Sequence, residues 1–277
     1  MQKKILIVGA KGMLGHMLAE VFAPQNPLLW DVAELDITDL PAVKEKLIAK
    51  KPGVVINAAA YTAVDKAEME KEVAWAVNAK GPENLAMACK EIGATLVHYS
   101  TDYVFPGDKP EGYAEDDAAG PAVNVYGESK LAGEEAVKKS GVNFYLLRTA
   151  WLYGSGGSNF VDTMLKLGRE REELKVVSDQ HGSPTCTKDV ALATKYVLDN
   201  KKSFGIYHAV CEGQATWYEF AKEIFRLVNI DITVTPISAS EYPVAAKRPE
   251  YSVLKNTKGL LMRNWQVALA EYISLIA

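Results

Sequence analysis

The sequence predicts an α/β protein, a parallel sheet wound with helices on both faces and followed by a smaller second lobe. Three observations predict it. Short β-branched runs alternate with longer helical segments through the first 150 residues, which is the pattern of βαβ units. Those runs are almost continuously apolar, as suits strands covered on both faces. A glycine-rich string separates the first strand from the first helix, in the sequence GAKGMLG, and a chain of 277 residues is long enough to bury a core of this size.

Taken in order, the expected strands of the first part are Lys4 to Val8, Pro27 to Asp31, Val54 to Asn57, Thr95 to Ser100 and Phe144 to Arg148. Between them the apolar spacing predicts helices over Met13 to Phe22, Leu40 to Lys50, Ala67 to Ile92 and Val125 to Ser140, with Thr38-Asp39 placed to cap the second. After Arg148 the alternation weakens. The string Gly154-Ser155-Gly156-Gly157-Ser158 reads as a flexible connection or an active-site loop. Beyond it, Lys188 to Asn200 and Trp217 to Val228 read as helices, Gly205 to Ala209 and Thr233 to Ile237 as strands, and Trp265 to Ile276 as a closing amphipathic helix.

Composition narrows the class. Hydrophobic residues make up 48% and charged residues 24%, with a formal net charge of -4, so bulk charge offers nothing to nucleic acid. Cys89, Cys186 and Cys211 are scattered and lack CxxC spacing, which suits three structural thiols in a reducing compartment. The apolar run Ile5 to Val8 is too short for a signal-peptide core, and no stretch approaches the ~20 apolar residues of a membrane span. The expectation is a cytoplasmic protein with no membrane and no nucleic-acid partner.

Gly9, Gly12 and Gly15 follow a buried strand and open a helix. The first suits a tight turn, the second lets backbone approach a pyrophosphate, and the third allows close helix-to-strand packing. Lys11, Met13 and Leu14 complete a turn whose helix N-terminus favours phosphate. Such a turn implies a Rossmann-type doubly wound parallel sheet with a smaller C-terminal α/β substrate-binding lobe. Residues 1–150 then form the dinucleotide-binding part and residues 151–277 mainly the substrate-binding part, with the chain returning to the first within about 190–240. Asp31 stands where an acidic side chain accepts from the adenosine ribose, or is a solvated turn residue. Asp36 and Ile37 can border the adenine, although Asp36 can equally cap the next helix. Asn57, Ala58, Ala59 and Ala60 offer small side chains over which a dinucleotide can lie. Val32 stands where an arginine would clamp a 2′-phosphate, which favours NADH; Lys11 can still reach such a phosphate, so NADPH and NADH both stay open.

Tyr126 and Lys130 lie four residues apart on an expected helix, on one face. A carbonyl reduction needs a proton donor at the oxygen, and a neighbouring cation favours the phenolate that a tyrosine donor leaves behind; Lys130 can supply that charge and also hold the nicotinamide ribose, so that Tyr126 and Lys130 border the cofactor as well. Thr101 lies at the C-terminal end of the fourth strand, the edge at which open α/β sheets bind ligands. Glycine turn, strand-end hydroxyl and Tyr-xxx-Lys helix together point to hydride transfer.

With these strings the chain resembles the extended short-chain dehydrogenases/reductases, and within them the branch that reduces dTDP-4-dehydro-L-rhamnose. The resemblance spans essentially the whole chain and rests on GAKGMLG, ELDITD at 34–39, NAAAYTAVDKAE at 57–68, HYSTDYVFPG at 98–107, VYGESKLAGE at 125–134, RTAWLYG at 148–154, SDQHGSPT at 178–185 and RPEYSVLKNTK at 248–258. It implies Thr101, Tyr126 and Lys130 as the catalytic triplet and a dTDP-sugar as substrate. It places Thr62, Val64, Asp102, Val104 and Trp151 around the deoxysugar, and Asn159, Gln180, His181 and Arg248 near the nucleotide end. Arg248 suits the diphosphate, because guanidinium forks match phosphate oxygens.

Relatives that dehydrate sugar nucleotides need Glu after the Asp that follows the threonine, and here Tyr103 follows Asp102. A reductase or epimerase for another NDP-4-keto-deoxysugar and a non-catalytic dinucleotide-binding regulatory subunit remain as other readings. His16, His98, His181 and His208 lack ligand spacing, so no metal is expected in catalysis. Some relatives pair through magnesium held by carboxylates; the matching positions here are Met17 and Lys188, which suit no magnesium. The expected state is a monomer or a weak homodimer.

Overall fold

The computed structural model describes residues 3–276. Its first half runs β1 (Ile5–Val8), α1 (Met13–Val21), β2 (Leu28–Trp30), α2 (Leu40–Lys50), β3 (Val54–Asn57), α3 (Val64–Ala67), α4 (Lys71–Trp75), α5 (Gly81–Ile92), β4 (Thr95–Thr101), α6 (Val125–Ser140) and β5 (Phe144–Thr149). The second half runs β6 (Leu152–Tyr153), α7 (Phe160–Glu170), β7 (Glu173–Val177), β8 (His181–Gly182), β9 (Thr185–Cys186), α8 (Thr187–Asp199), β10 (Gly205–His208), β11 (Ala215–Thr216), α9 (Trp217–Val228), β12 (Thr233–Ile237) and α10 (Trp265–Ile276).

Six strands form one parallel sheet in the order β10-β5-β4-β3-β1-β2. Period-two alternation sends Ile5 and Ile7 into the layer under α1 and α8, and Leu6 and Val8 into the layer under α2 and α5. Both faces of β1 are therefore covered, which explains its unbroken apolar run. β2 lies on one side of β1 and β3 on the other, so a crevice opens at the C-terminal ends of β1 and β3, where such sheets take ligands. β10 joins this sheet beside β5 and α8 packs on α1, so the chain crosses back after residue 186. A separate core gathers Phe220, Ile224, Leu165, Leu174, Trp265 and Leu269, where α7 and α9 pack on the β7–β12 pair and α10 packs on α9 and β9.

Two expectations change. The single helix over Ala67 to Ile92 is broken: α3 ends before Met69-Glu70, and a π-helical turn at Ala76–Lys80 leads into α5. Pro82 has no N–H and its ring conflicts with a carbonyl four residues back, so the ladder widens just ahead of it. The wider turn lets the Asn78 carbonyl meet α6 at Gly133, where a Cβ would stand 2.2 Å from it. The second change is that α7 and β7, unassigned from sequence, are regular elements. Gly168 weakens the helical pattern of α7, yet it is needed there because the Phe225 ring occupies the place of a side chain. Among the described residues no helix is long and apolar enough to cross a membrane, and no group of three or more His, Cys, Asp or Glu side chains can hold a metal.

Candidate active site

The glycine turn closes tightly on itself. Gly9 has φ +75°, in the left-handed region, and a Cβ there would stand 2.5 Å from the Ala59 nitrogen. At Gly15 a Cβ would stand 2.0 Å from the Gly9 carbonyl oxygen. α1 starts at Gly12 with no side-chain cap, so its first N–H groups face the turn with no side-chain partner. Backbone packed this closely at Gly9 and Gly15, with Gly12 at the head of a helix whose N–H groups have no side-chain cap, fits a dinucleotide diphosphate. Met13 and Leu14 begin the helix, Leu14 with its side chain in the core, and Lys11 is exposed on the turn.

Asp31, just past β2, accepts from the Lys11 N–H and the Val32 N–H, both at 2.9 Å, and so ties the turn to the strand. Asp36 accepts from the N–H and hydroxyl of Thr38; the cap of α2 is Asp39, which accepts from the Ala42 N–H. Ile37 is buried against Gly81. At the end of β3, the Asn57 amide oxygen accepts from the Ala59 N–H while its nitrogen lies 3.1 Å from His98 Nδ1. That fixes the bend through which Ala58, Ala59 and Ala60 stay partly open to solvent.

Thr101 ends β4, and α6 brings Tyr126 and Lys130 beside it. Asn124 caps α6 by accepting from the Gly127 N–H at 2.8 Å. Gly127 itself lets the helix touch the backbone after β4, since a Cβ would stand 2.3 Å from the Tyr103 carbonyl oxygen. Lys130 is 3% exposed and donates to the Tyr99 carbonyl at 2.6 Å. Burial pulls its pKa down to about 8, against the upward pull of Glu134 one turn along. Glu134 is fully buried and takes a two-pronged hydrogen bond from Arg148, at 2.9 and 2.7 Å.

Burial pushes the Tyr126 phenol up to about 12, partly offset by hydrogen bonding with Thr101. The Thr101 hydroxyl donates to Asp102 at 2.8 Å and accepts from the Tyr103 N–H at 3.2 Å. In this arrangement the Thr101 proton lies on the Asp102 side. The Asp102 carboxyl is raised to about 6 by burial, with the Ser252 and Thr101 hydroxyls holding it down. The arrangement is a proton donor that stays protonated through neutrality, with a cation on the same helix face.

Further along, Tyr103 stands edge-on to Tyr126 with ring centroids 5.8 Å apart. Burial and the Asp102 charge raise its pKa, and Arg248 is near enough to oppose them. Arg248 in turn lines a cleft of about 830 Å³ together with Asp65, Phe160, Gln180, Trp217 and Tyr242 among others. Arg248 pairs with Asp65 at 2.7 Å. Trp151 adopts φ +45°, a costly backbone for a bulky residue, and is held between Gly182 and the Trp217 ring, which stacks on it at 3.5 Å. His181 stacks on Tyr251.

Thr62 is exposed and Val64 half-buried at the start of α3. Two of the expected substrate contacts have other work. The Val104 side chain is wholly enclosed by Phe105, Tyr113 and Leu254, and Asn159 caps α7 while its amide nitrogen donates to Gly154 and Asp162. Asp65 and Trp217 went unnoticed in the sequence. Trp217 opens an amphipathic helix and looks like core there, and nothing local marks Asp65 as facing an arginine 183 residues away. Lys188 is paired with Glu271.

The family described as RmlD substrate binding domain matches residues 3–277. The dTDP-4-dehydrorhamnose reductase of Streptomyces griseus is 44% identical over 96% of this chain and 91% of its own length. Among solved structures, that of a dTDP-4-dehydrorhamnose reductase from Clostridium acetobutylicum has a TM-score of 0.95 at 48% identity, covering 99% of both chains. A Bacillus anthracis dTDP-4-dehydrorhamnose reductase solved in complex with NADP also has a TM-score of 0.95, at 41% identity over 99% of this chain and all of its own. Matched over nearly its whole length by the family and by these relatives, the chain belongs to the RmlD substrate binding domain family, that of the dTDP-4-dehydrorhamnose reductases.

Proposed function

We propose that the chain reduces the 4-keto group of dTDP-4-dehydro-L-rhamnose to give dTDP-L-rhamnose, with NADPH or NADH as the hydride source. The observation that carries this reading is the placement of Tyr126 and Lys130 on α6 against the C-terminal end of β4, with the phenol protonated through neutrality. When bound, the reduced nicotinamide supplies hydride to C4 of the sugar. Tyr126 gives its phenolic proton to the C4 oxygen as charge develops there. The Thr101 hydroxyl, turned from Asp102, would donate to the same oxygen, and the Lys130 cation favours the phenolate left on Tyr126.

Gly9, Lys11, Gly12, Met13, Leu14 and Gly15 would hold the dinucleotide diphosphate, Asp31 the adenosine ribose, Asp36 and Ile37 the adenine, and Asn57 to Ala60 the nicotinamide half. On the sugar side the reading assigns Thr62, Val64, Asp102 and Trp151 to the deoxysugar, and Gln180, His181 and Arg248 to the nucleotide. Residues 1–150, with the returning segment, then serve the cofactor and residues 151–277 mainly the substrate. The protein acts in the cytoplasm as a monomer or weak homodimer, in keeping with a Lys188 that is already paired with Glu271 and cannot ligate magnesium.

The test is oxidation of NADPH and of NADH, followed by loss of nicotinamide absorbance, with dTDP-4-dehydro-L-rhamnose and with the Tyr126→Phe enzyme as control. Turnover to dTDP-L-rhamnose, reduced at least about a hundredfold in the variant, is expected. Cofactor binding without turnover would instead favour the regulatory-subunit reading, and a product of changed configuration at another carbon would favour an epimerase.

A further inference from the structure

Arg248 does not stand alone in its cleft. Asp65, on α3, accepts from its Nη2 at 2.7 Å, while Arg248 Nη1 donates to the Ala246 carbonyl at 2.9 Å. The same carboxylate accepts from the Ala246 N–H at 3.0 Å. The segment 245–248 is pinned a second time, because Asn124, the cap of α6, donates to the Lys247 carbonyl at 2.7 Å. Glu68, three residues after Asp65, accepts from the Val125 N–H at the start of α6. Segment 245–248, α3 and the head of the catalytic helix thus form a closed ring of polar contacts.

We propose that Asp65 is a positioning residue for the sugar nucleotide: anchored by backbone N–H groups of segment 245–248, it holds the Arg248 guanidinium extended into the cleft with its other N–H donors directed to the substrate's diphosphate. The inference rests on the reading of Arg248 as the diphosphate contact. An arginine loses side-chain entropy when a ligand immobilises it, and a guanidinium already fixed by a carboxylate loses less. Five N–H donors are available on a guanidinium and two are used here, so the pair with Asp65 and a pair with phosphate oxygens are compatible. Partial burial acts to raise the Asp65 pKa, but the Ala246 N–H and Arg248 outweigh it and bring it below the ordinary value. The carboxylate is therefore charged wherever the enzyme works.

The opposite arrangement is a competitor, in which Asp65 occupies Arg248 and must be displaced by the incoming diphosphate. The two predict opposite signs. Asp65→Asn, in the full chain, is expected to raise both KM for the dTDP-sugar and Kd for dTDP alone by about tenfold, the scale of one charge-assisted hydrogen bond. Cofactor KM and kcat should stay within about twofold, and Asp65→Glu should recover part of the loss. In an Arg248→Gln background the same substitution should add nothing, because Asp65 acts through Arg248; an added loss there would mark a merely structural role and overturn the proposal. An unchanged or lower Kd for dTDP in Asp65→Asn would overturn it as well, the lower value in favour of competition. If Arg248→Gln alone leaves KM and Kd unchanged, the diphosphate reading of Arg248 fails and this inference falls with it. If Arg248→Gln weakens binding while Asp65→Asn does not, only the role of Asp65 is lost.

Discussion

The turn at residues 9–15 is made of contiguous backbone, whereas the cleft around Arg248 is made of side chains from five segments, near residues 65, 160, 180, 217 and 248. The first works by what is missing. Two absent Cβ atoms let the turn, helix and neighbouring strand end close on one another, and an uncapped helix end leaves N–H groups for a diphosphate. The second works by what is present, a pair of stacked indoles and an arginine held by a carboxylate. A region built from backbone tolerates no added atom, and a region built from separate side chains loses function in steps.

The largest effect is expected where the backbone plan is broken. Gly15→Ala places a methyl 2.0 Å from the Gly9 carbonyl oxygen, a backbone atom that cannot swing aside. The turn must open, and overpacking of this kind costs about 1–3 kcal/mol in stability. Cofactor Kd, measured by quenching of protein fluorescence, should rise at least about a hundredfold as helix and strand separate and the N–H groups lose their aim. Cofactor affinity within a few-fold of the parent would mean that the turn is plastic, and the contrast between the two regions would collapse.

A smaller and more selective loss is expected in the cleft. Trp217→Ala removes the ring that stacks on Trp151, an interaction of the order of 0.5–1.5 kcal/mol beyond area burial. It also releases an indole held at φ +45°. KM for the dTDP-sugar should rise by up to about tenfold while cofactor Kd stays unchanged. A matching loss of cofactor affinity would show that the two regions are one cooperative unit rather than two.

The same contrast explains what could be read in the chain before its structure. The glycine turn, Thr101 and the Tyr126–Lys130 pair were legible because each lies within one element, where local spacing determines geometry. Strands β1, β3, β4 and β5 were legible for the same reason, their apolar runs being continuous. The helix break near residues 69–80 was not, since its cause is a π-turn that makes room for Gly133 of a helix about fifty residues later. α7 was hidden by Gly168, whose purpose is the Phe225 ring on α9. Asp65 and Trp217 were invisible for a related reason: their partners, Arg248 and Trp151, are distant in sequence and carry no periodic mark. Contacts between segments were lost to sequence, and contacts within a segment were not.

The smallest expected effect sharpens the comparison from the catalytic helix, where an element legible in sequence is tuned by a partner that was not. Lys130 is drawn by burial from an ordinary 10.5 to about 8. A lysine with a lowered pKa is cationic below that value and neutral above it, so support for the Tyr126 phenolate is complete at neutral pH and fades as pH rises through about 8. Tyr126, raised to about 12 by burial, remains a protonated donor throughout and adds no limb of its own. The rate of sugar reduction at saturating cofactor should therefore decline above about pH 8, with a gradual rather than abolishing loss because Tyr126 keeps its proton and the Thr101 hydroxyl can still donate to the oxygen. Glu134 opposes the burial of Lys130, so Glu134→Gln should move the limb to lower pH while Arg148, left buried without its carboxylate, lowers the melting temperature. A rate that is flat from about pH 7 to about pH 10, or a limb indifferent to Glu134, would detach Lys130 from the proton step and leave it only the task of holding the nicotinamide ribose.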